Sequence, residues 1–175
     1  MEFFNRWSPK FFIRISPDTV EVHRNKSSVV WRDDAVIALS DGPKNKVLGI
    51  GAAARMAVSQ NSGATLYWPF RHPRCLISDW LIAEVLLKSV LKEQIGKSWF
   101  ALAPEITVHL CPAETQSIGG LTTVEYRAWS EALQHCGAKS VEFLRPMDFS
   151  DAQIQLLLND PAQLEASIAN NPSGR

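Results

Sequence analysis

Residues 105–147 read EITVHLCPAETQSIGGLTTVEYRAWSEALQHCGAKSVEFLRPM, and the order of signals within this stretch decides the fold class. Ile106, Val108 and Leu110 alternate with Thr107 and His109, the period of two that suits a half-buried strand. A loop containing Gly119-Gly120 follows. Thr122 and Glu125 then make a capping box, in which the hydroxyl accepts from an orphan amide while the carboxylate reaches back to the cap. Val124, Ala128, Ala132 and Cys136 recur at every fourth position of the predicted helix, and Gly137 offers a left-handed stop. Val141, Phe143 and Leu144 restart an extended apolar run. Strand, helix and strand make a βαβ unit, which needs neighbours to bury its faces.

Working outward, short strand signals fill the N-terminal half. Residues 11–15 are an apolar run, Pro17-Asp18 reads as a turn, and residues 19–23 alternate. Arg24-Asn25-Lys26 turns again, residues 28–31 and 35–39 are extended, and Asp41-Gly42-Pro43 breaks the run. Residues 47–51 form a further strand leading into a small-residue helix over 52–59. Residues 60–78 read as loop. Ser78 is expected to cap an amphipathic helix reaching Gln94, with Ile82, Val85, Leu86, Ser89 and Val90 on one side. Glu84 and Lys88 stand at i,i+4 on the other. Beyond Met147, residues 151–158 and 162–169 suggest two short helices broken at Asp160-Pro161. Leu156, Leu157, Leu158, Leu164 and Ile168 need something to cover, either their own sheet or another chain. Residues 170–175 read as disordered.

The chain has 175 residues, enough for one domain or two small subdomains with a true core. Eighteen basic and eighteen acidic residues cancel, so no bulk field would recruit nucleic acid. Three cysteines without CxxC spacing point to a reduced, cytoplasmic setting rather than a disulfide framework. No apolar run approaches the roughly 20 residues that span a bilayer, and no secretory signal is evident. Phe3, Phe4 and Trp7 stand at helical spacing in MEFFNRWSPK. They either fold back on the core or form a short amphipathic foot on a membrane surface, which one or two turns would hold only weakly.

The wording of the central unit resembles bacterial actin homologues of the MreB type, in a segment of the form G-x-T-x-V-E-R-R-A, then G-A-x-x-V, then E-P-M. Gly120, Thr122, Val124, Glu125, Arg127, Ala128, Gly137, Ala138, Val141, Pro146 and Met147 carry the match. VLGIGAAARMA resembles the family's strand-to-helix entry, through Gly51, Ala54 and Met56. Arg74, Ile77 and Asp79 echo a further segment of the form R-P-x-x-x-G-x-I-x-D. The resemblance implies an α/β fold, an actin-like (ribonuclease-H-like) mixed sheet flanked by helices that makes one half of the usual two-domain fold. The expected layout is an N-terminal aromatic segment over 1–10, an actin-like first domain over 11–147 and a helical or flexible tail over 148–175.

The resemblance also implies where ATP chemistry would lie. A first phosphate loop of the form D-x-G-T falls on residues 14–19, RISPDT, where Arg14 replaces the acid and Pro17 removes an amide donor. Asp18 and Thr19 are the shifted candidates. The acid expected before Pro146 is Arg145, and a cation cannot polarise water as a base. The second phosphate loop and adenosine pocket would lie in a second half, into which the tail is not expected to lead. Gly119 and Gly120, before a helix N-terminus, are the remaining weak phosphate candidates, in a loop carrying the extra residues AETQSI. His109 with Cys111 and His135 with Cys136 are adjacent pairs rather than a zinc ligand set, and no catalytic or metal site is expected.

The expected function is therefore a non-catalytic, cell-shape-related cytoskeletal role, through self-association or binding to a full-length actin-like filament protein. The alternative is a nucleotide-binding half-site completing an ATPase in trans, and ATP with magnesium enters only there. Candidate contact residues are Phe3, Phe4, Trp7, Tyr67, Trp68, Phe70, Leu157 and Leu164. The expected location is cytoplasmic, with the inner-membrane surface as the alternative for the N-terminal segment.

Overall fold

A computed structural model of the chain describes residues 8–42, 45–73, 75–95, 103–111, 121–144 and 149–163. The N-terminal aromatic segment, the Gly119-Gly120 loop, Arg74, Arg145-Pro146-Met147 and residues 164–175 lie outside the described residues. Five strands form the larger sheet, in the order β3-β2-β1-β7-β8: β1 (Lys10–Ile15), β2 (Thr19–Arg24), β3 (Val30–Asp34), β7 (Glu105–Leu110) and β8 (Ser140–Phe143). The β1–β2 and β2–β3 pairs are antiparallel, whereas β1–β7 and β7–β8 are parallel. The sheet is therefore mixed, as the resemblance implies. A smaller antiparallel sheet, β5-β4-β6, is built from β4 (Ile37–Ser40), β5 (Val47–Ile50) and β6 (Ala64–Tyr67). Strand β6 falls inside the stretch read from sequence as loop.

Register explains the core. Phe11, Ile13 and Ile15 stand level with Ile106, Val108 and Leu110, and Ile13 and Ile15 pair with Val22 and Val20. All of these are buried, and α2 (Trp80–Ile95) and α3 (Thr123–His135) cover this face with Leu86, Val90, Trp129 and Leu133. The opposite face carries Phe12, Arg14, Glu21, His23 and His109. Helix α4 (Asp151–Asn159) packs on it, burying Ile154 and Leu158 against Phe12. Helix α4 thus covers its own sheet, with Leu157 half-buried beside that contact.

Helix ends follow from named groups. The Thr122–Glu125 capping box forms as read, and Gly137 adopts φ +100° behind the helix. Two details differ. Asp79, not Ser78, caps α2, its Oδ1 accepting from the Ile82 amide at 3.0 Å. Val124 is 76% exposed, because the apolar stripe of α3 runs through Trp129, Ala132, Leu133 and Cys136 instead. On α2 the buried set is Ala83, Leu86, Leu87, Val90, Leu91 and Ile95, while Val85 turns outward. Glu84 bonds the Trp80 indole at 3.0 Å and His135 at 3.2 Å, both on the side facing α3, instead of reaching for Lys88.

Helix α1 (Gly51–Gln60) has no local side-chain cap; the carboxylate of Asp33, from β3, accepts from the Ala52 amide at 3.0 and 3.1 Å. Gly51 sits at φ +55°, and a Cβ there would fall within the Asp33 carboxylate. A Gly51→Ala chain is expected to lose about 2–3 kcal/mol, summing a lost cap and a left-handed alanine. Urea denaturation measures it; a loss below about 0.5 kcal/mol, the usual scale of a neutral surface change, would show that α1 does not depend on this junction.

Candidate functional site

The β1–β2 turn is where the resemblance places the first phosphate loop, and several of its polar groups are already engaged. The Ser16 amide donates to the Thr19 carbonyl at 2.9 Å, and the Thr19 amide donates to Ser16 Oγ at 3.0 Å. The two hydroxyls lie 2.7 Å apart, Pro17 has no amide hydrogen, and the Asp18 carbonyl accepts from Ala35 at 2.8 Å. The Asp18 carboxylate pairs with Arg71 at 2.8 Å. Arg71 lies over the Trp68 ring at 3.7 Å, and Arg55, paired with Asp34 at 2.6 Å, approaches the same ring at 5.1 Å. This ladder of charges and one indole joins the turn, the end of β3, α1 and the segment after β6. Each cation–π contact adds about 0.5–1 kcal/mol at such exposure.

Arg14 does not face that turn. Its guanidinium lies on the α4 side of the sheet, where it donates to Glu21 Oε1 at 3.3 Å, His109 Nδ1 at 3.4 Å and the Phe149 carbonyl at 2.9 Å. Glu21 is the centre of the cluster, with a side chain 3% exposed. Oε1 also meets His23 Nε2 at 2.5 Å, and Oε2 accepts from Arg32. Burial by itself would raise the Glu21 carboxyl, but the His23 and Arg32 hydrogen bonds and the Arg14 and Arg32 charges hold it below the ordinary carboxylate range. Arg14, Glu21, His23 and Arg32 share one sheet face by period-two counting only once the strand register is known, so sequence spacing alone does not assemble the group.

Glu21, His23 and Asp151 also bring one possible metal-ligand atom each within 4.8 Å of one another. A cation there would share Glu21 with two guanidinium groups, and Coulomb repulsion at such separations disfavours the set as a metal centre. His23 is fully buried, and its Nδ1 has no hydrogen-bond partner, a cost the fold carries at this cluster.

The other candidates are spread apart. Phe70 is completely buried and packs on Trp129 with ring centroids 5.6 Å apart, so it is a core residue rather than a contact surface. Tyr67 and Trp68 are half-buried. Asp18 and Thr19 are exposed and lie on the turn just described. Phe3, Phe4, Trp7, Gly119, Gly120 and Leu164 lie outside the described residues. Exposed apolar side chains that the sequence reading did not single out include Val29 and Leu81, each 74% exposed. Among the described residues no helix is long and apolar enough to cross a membrane.

A mixed five-stranded sheet with helices on both faces and a small antiparallel sheet attached defines the class as one half of an actin-like fold. Solved structures agree on that fold. MreB5 of Spiroplasma citri bound to ADP superposes with a TM-score of 0.56 at 19% identity, over 79% of this chain and 38% of that one. A non-polymerising MamK mutant bound to AMPPNP gives 0.60 at 11% identity, over 78% and 40%. A MamK double helical filament gives 0.53 at 13% identity, over 77% and 40%. The chain thus spans about two fifths of the length of the structures it matches. No curated protein matches it. The MreB/Mbl protein family model matches residues 14–147, and the chain belongs to that family.

Proposed function

We propose that this chain works by association, with itself or with a filament of an actin-like relative, in the cytoplasm and in the service of cell shape, and that it does not hydrolyse nucleotide. The observation that carries the reading is Arg14. It stands where the resemblance expects the acid that orders metal-bound water, and its charge is directed at Glu21 and at the start of α4. The turn beside it spends the Ser16 and Thr19 amides on itself and Asp18 on Arg71, which supports the reading that it does not hold a magnesium-bound triphosphate. Support for association comes from MamK, a similar structure, solved as a double helical filament. It also comes from Leu81 and Val124, which leave apolar area open on α2 and α3.

Two measurements on the full chain test this. Calorimetric titration with ATP and magnesium is expected to give no saturable heat; a micromolar Kd would overturn the reading. Sedimentation is expected to show concentration-dependent assembly, or co-pelleting with a polymerised actin-like relative, reduced by Leu81→Glu. A strictly monomeric species that pellets with no filament would count against association while leaving the absence of nucleotide binding intact.

A further inference from the structure

Residues 72–73 and 75–78, between β6 and α2, belong to a tightly held loop that no part of the proposed function uses. The His72 and Leu76 backbones bond each other in both directions, at 2.9 and 3.1 Å, and the Trp129 indole donates to the Cys75 carbonyl at 3.2 Å. Leu76 is fully buried at φ +66°, a left-handed conformation that a branched side chain adopts only when its surroundings enforce it. Leu76 thereby enters the core, and the neighbouring Cys75 is one of the residues lining a cavity of about 280 Å³. Ile77, Trp80, Ala128 and Trp129 give the cavity apolar walls, and Ser78 and Glu125 complete the lining.

Cys75 has a base at hand. Its Sγ lies 3.2 Å from His72 Nδ1, which also accepts from the Cys75 amide at 3.2 Å, and 3.4 Å from the Ile77 carbonyl. His72 is exposed, so the imidazole is open to solvent. The other two cysteines differ. Cys136 is buried, and burial, helped by the Glu84 charge, pushes its thiol up to about 12. Cys111 stands 3.7 and 3.8 Å from the two ring nitrogens of His109, which is itself buried in the sheet. A thiol beside an accessible imidazole, on a residue that lines a cavity, is the arrangement that favours nucleophilic sulfur.

We infer that Cys75 is a modification site: a nucleophilic thiol, with His72 as its base, that takes a small organic hydroperoxide into the cavity beside Trp80 and Trp129. The Sγ proton passes to His72 Nδ1, and the thiolate attacks the terminal peroxide oxygen. An S–O bond forms as the O–O bond breaks, and the alcohol leaves with the proton returned by His72. Sulfur loses two electrons to the peroxide, and the product is a sulfenic acid, the first and reversible step of thiol oxidation.

The test treats the intact chain with cumene hydroperoxide, traps sulfenic acid with dimedone and reads each cysteine by peptide mass spectrometry. Label is expected on Cys75 at least tenfold faster than on Cys111 or Cys136, and none on that peptide in Cys75→Ser. His72→Asn keeps an acceptor for the Cys75 amide but cannot take the proton, and is expected to slow labelling at least tenfold while near-ultraviolet dichroism stays unchanged. Equal labelling of Cys75 and Cys111 in the parent, or parental rates in a folded His72→Asn chain, would overturn the inference. If His72→Asn proves misfolded, the parent's rate ratio among its three cysteines decides alone.

Discussion

Replacing Trp129 by alanine is expected to destabilise the domain by about 3–5 kcal/mol, the range for deleting a large buried aromatic. The side chain is 1% exposed, packs on Phe70 and donates its indole hydrogen to the Cys75 carbonyl at 3.2 Å. The site cannot collapse easily, because one wall of the vacated space is already the 280 Å³ cavity beside Cys75. Trp129→Phe separates the terms: it keeps most of the ring area and loses the hydrogen bond, for about 1–2 kcal/mol. Chemical denaturation of both variants gives the comparison. If alanine costs no more than phenylalanine, packing at this position is not what joins α3 to the sheet.

Removing Glu21 is expected to cost about 3 kcal/mol, the lower end of the range for breaking a buried ion pair. The lower end applies because Arg32, at 60% exposed, can recover water, whereas Arg14 and His23 are left facing each other in a covered space. The acid dependence has a definite sign. Glu21 titrates lower when folded than when unfolded, so its stabilisation is fully present above the unfolded carboxylate value of about 4.3 and is lost as pH falls through the lower folded value. The stability gap between parent and Glu21→Ala should therefore narrow as pH falls through that window. A gap that stayed constant with pH would mean that packing, not charge, accounts for the cost.

The parts legible in the sequence were those whose partners are close in the chain. Thr122 and Glu125 stand three residues apart, and their capping box forms as read. The alternation of Ile106, Val108 and Leu110 marks one face of β7. Helical phase was harder. A spacing of four through Val124 and Ala128 drifts from the true period of 3.6, and the bulky Trp129 and Leu133 set the buried face instead. What reading in order could not supply was the group arriving from elsewhere. Asp33 caps α1 from another strand, and Phe70, in a stretch rich in loop formers, is buried because Trp129 comes back to meet it. The Glu21 cluster shares this cause, since Phe149 and Asp151 reach it only after the chain has crossed the whole sheet.

The position of β1 also dictates an order of events. It lies between β2 and β7, and its parallel partner stands 95 residues away at Arg14 and His109. Half of its ladder must wait for chain made much later, whereas β4, β5, α1 and β6 pair among near neighbours over residues 37–67. Closing a long loop before any contact rewards it slows folding. During synthesis the small sheet and α1 can therefore settle early, while β1 carries Phe11, Phe12 and Ile13 with one edge unpaired until residue 105 arrives. For that interval the nascent chain presents an open strand edge, the kind of surface on which unfinished chains associate.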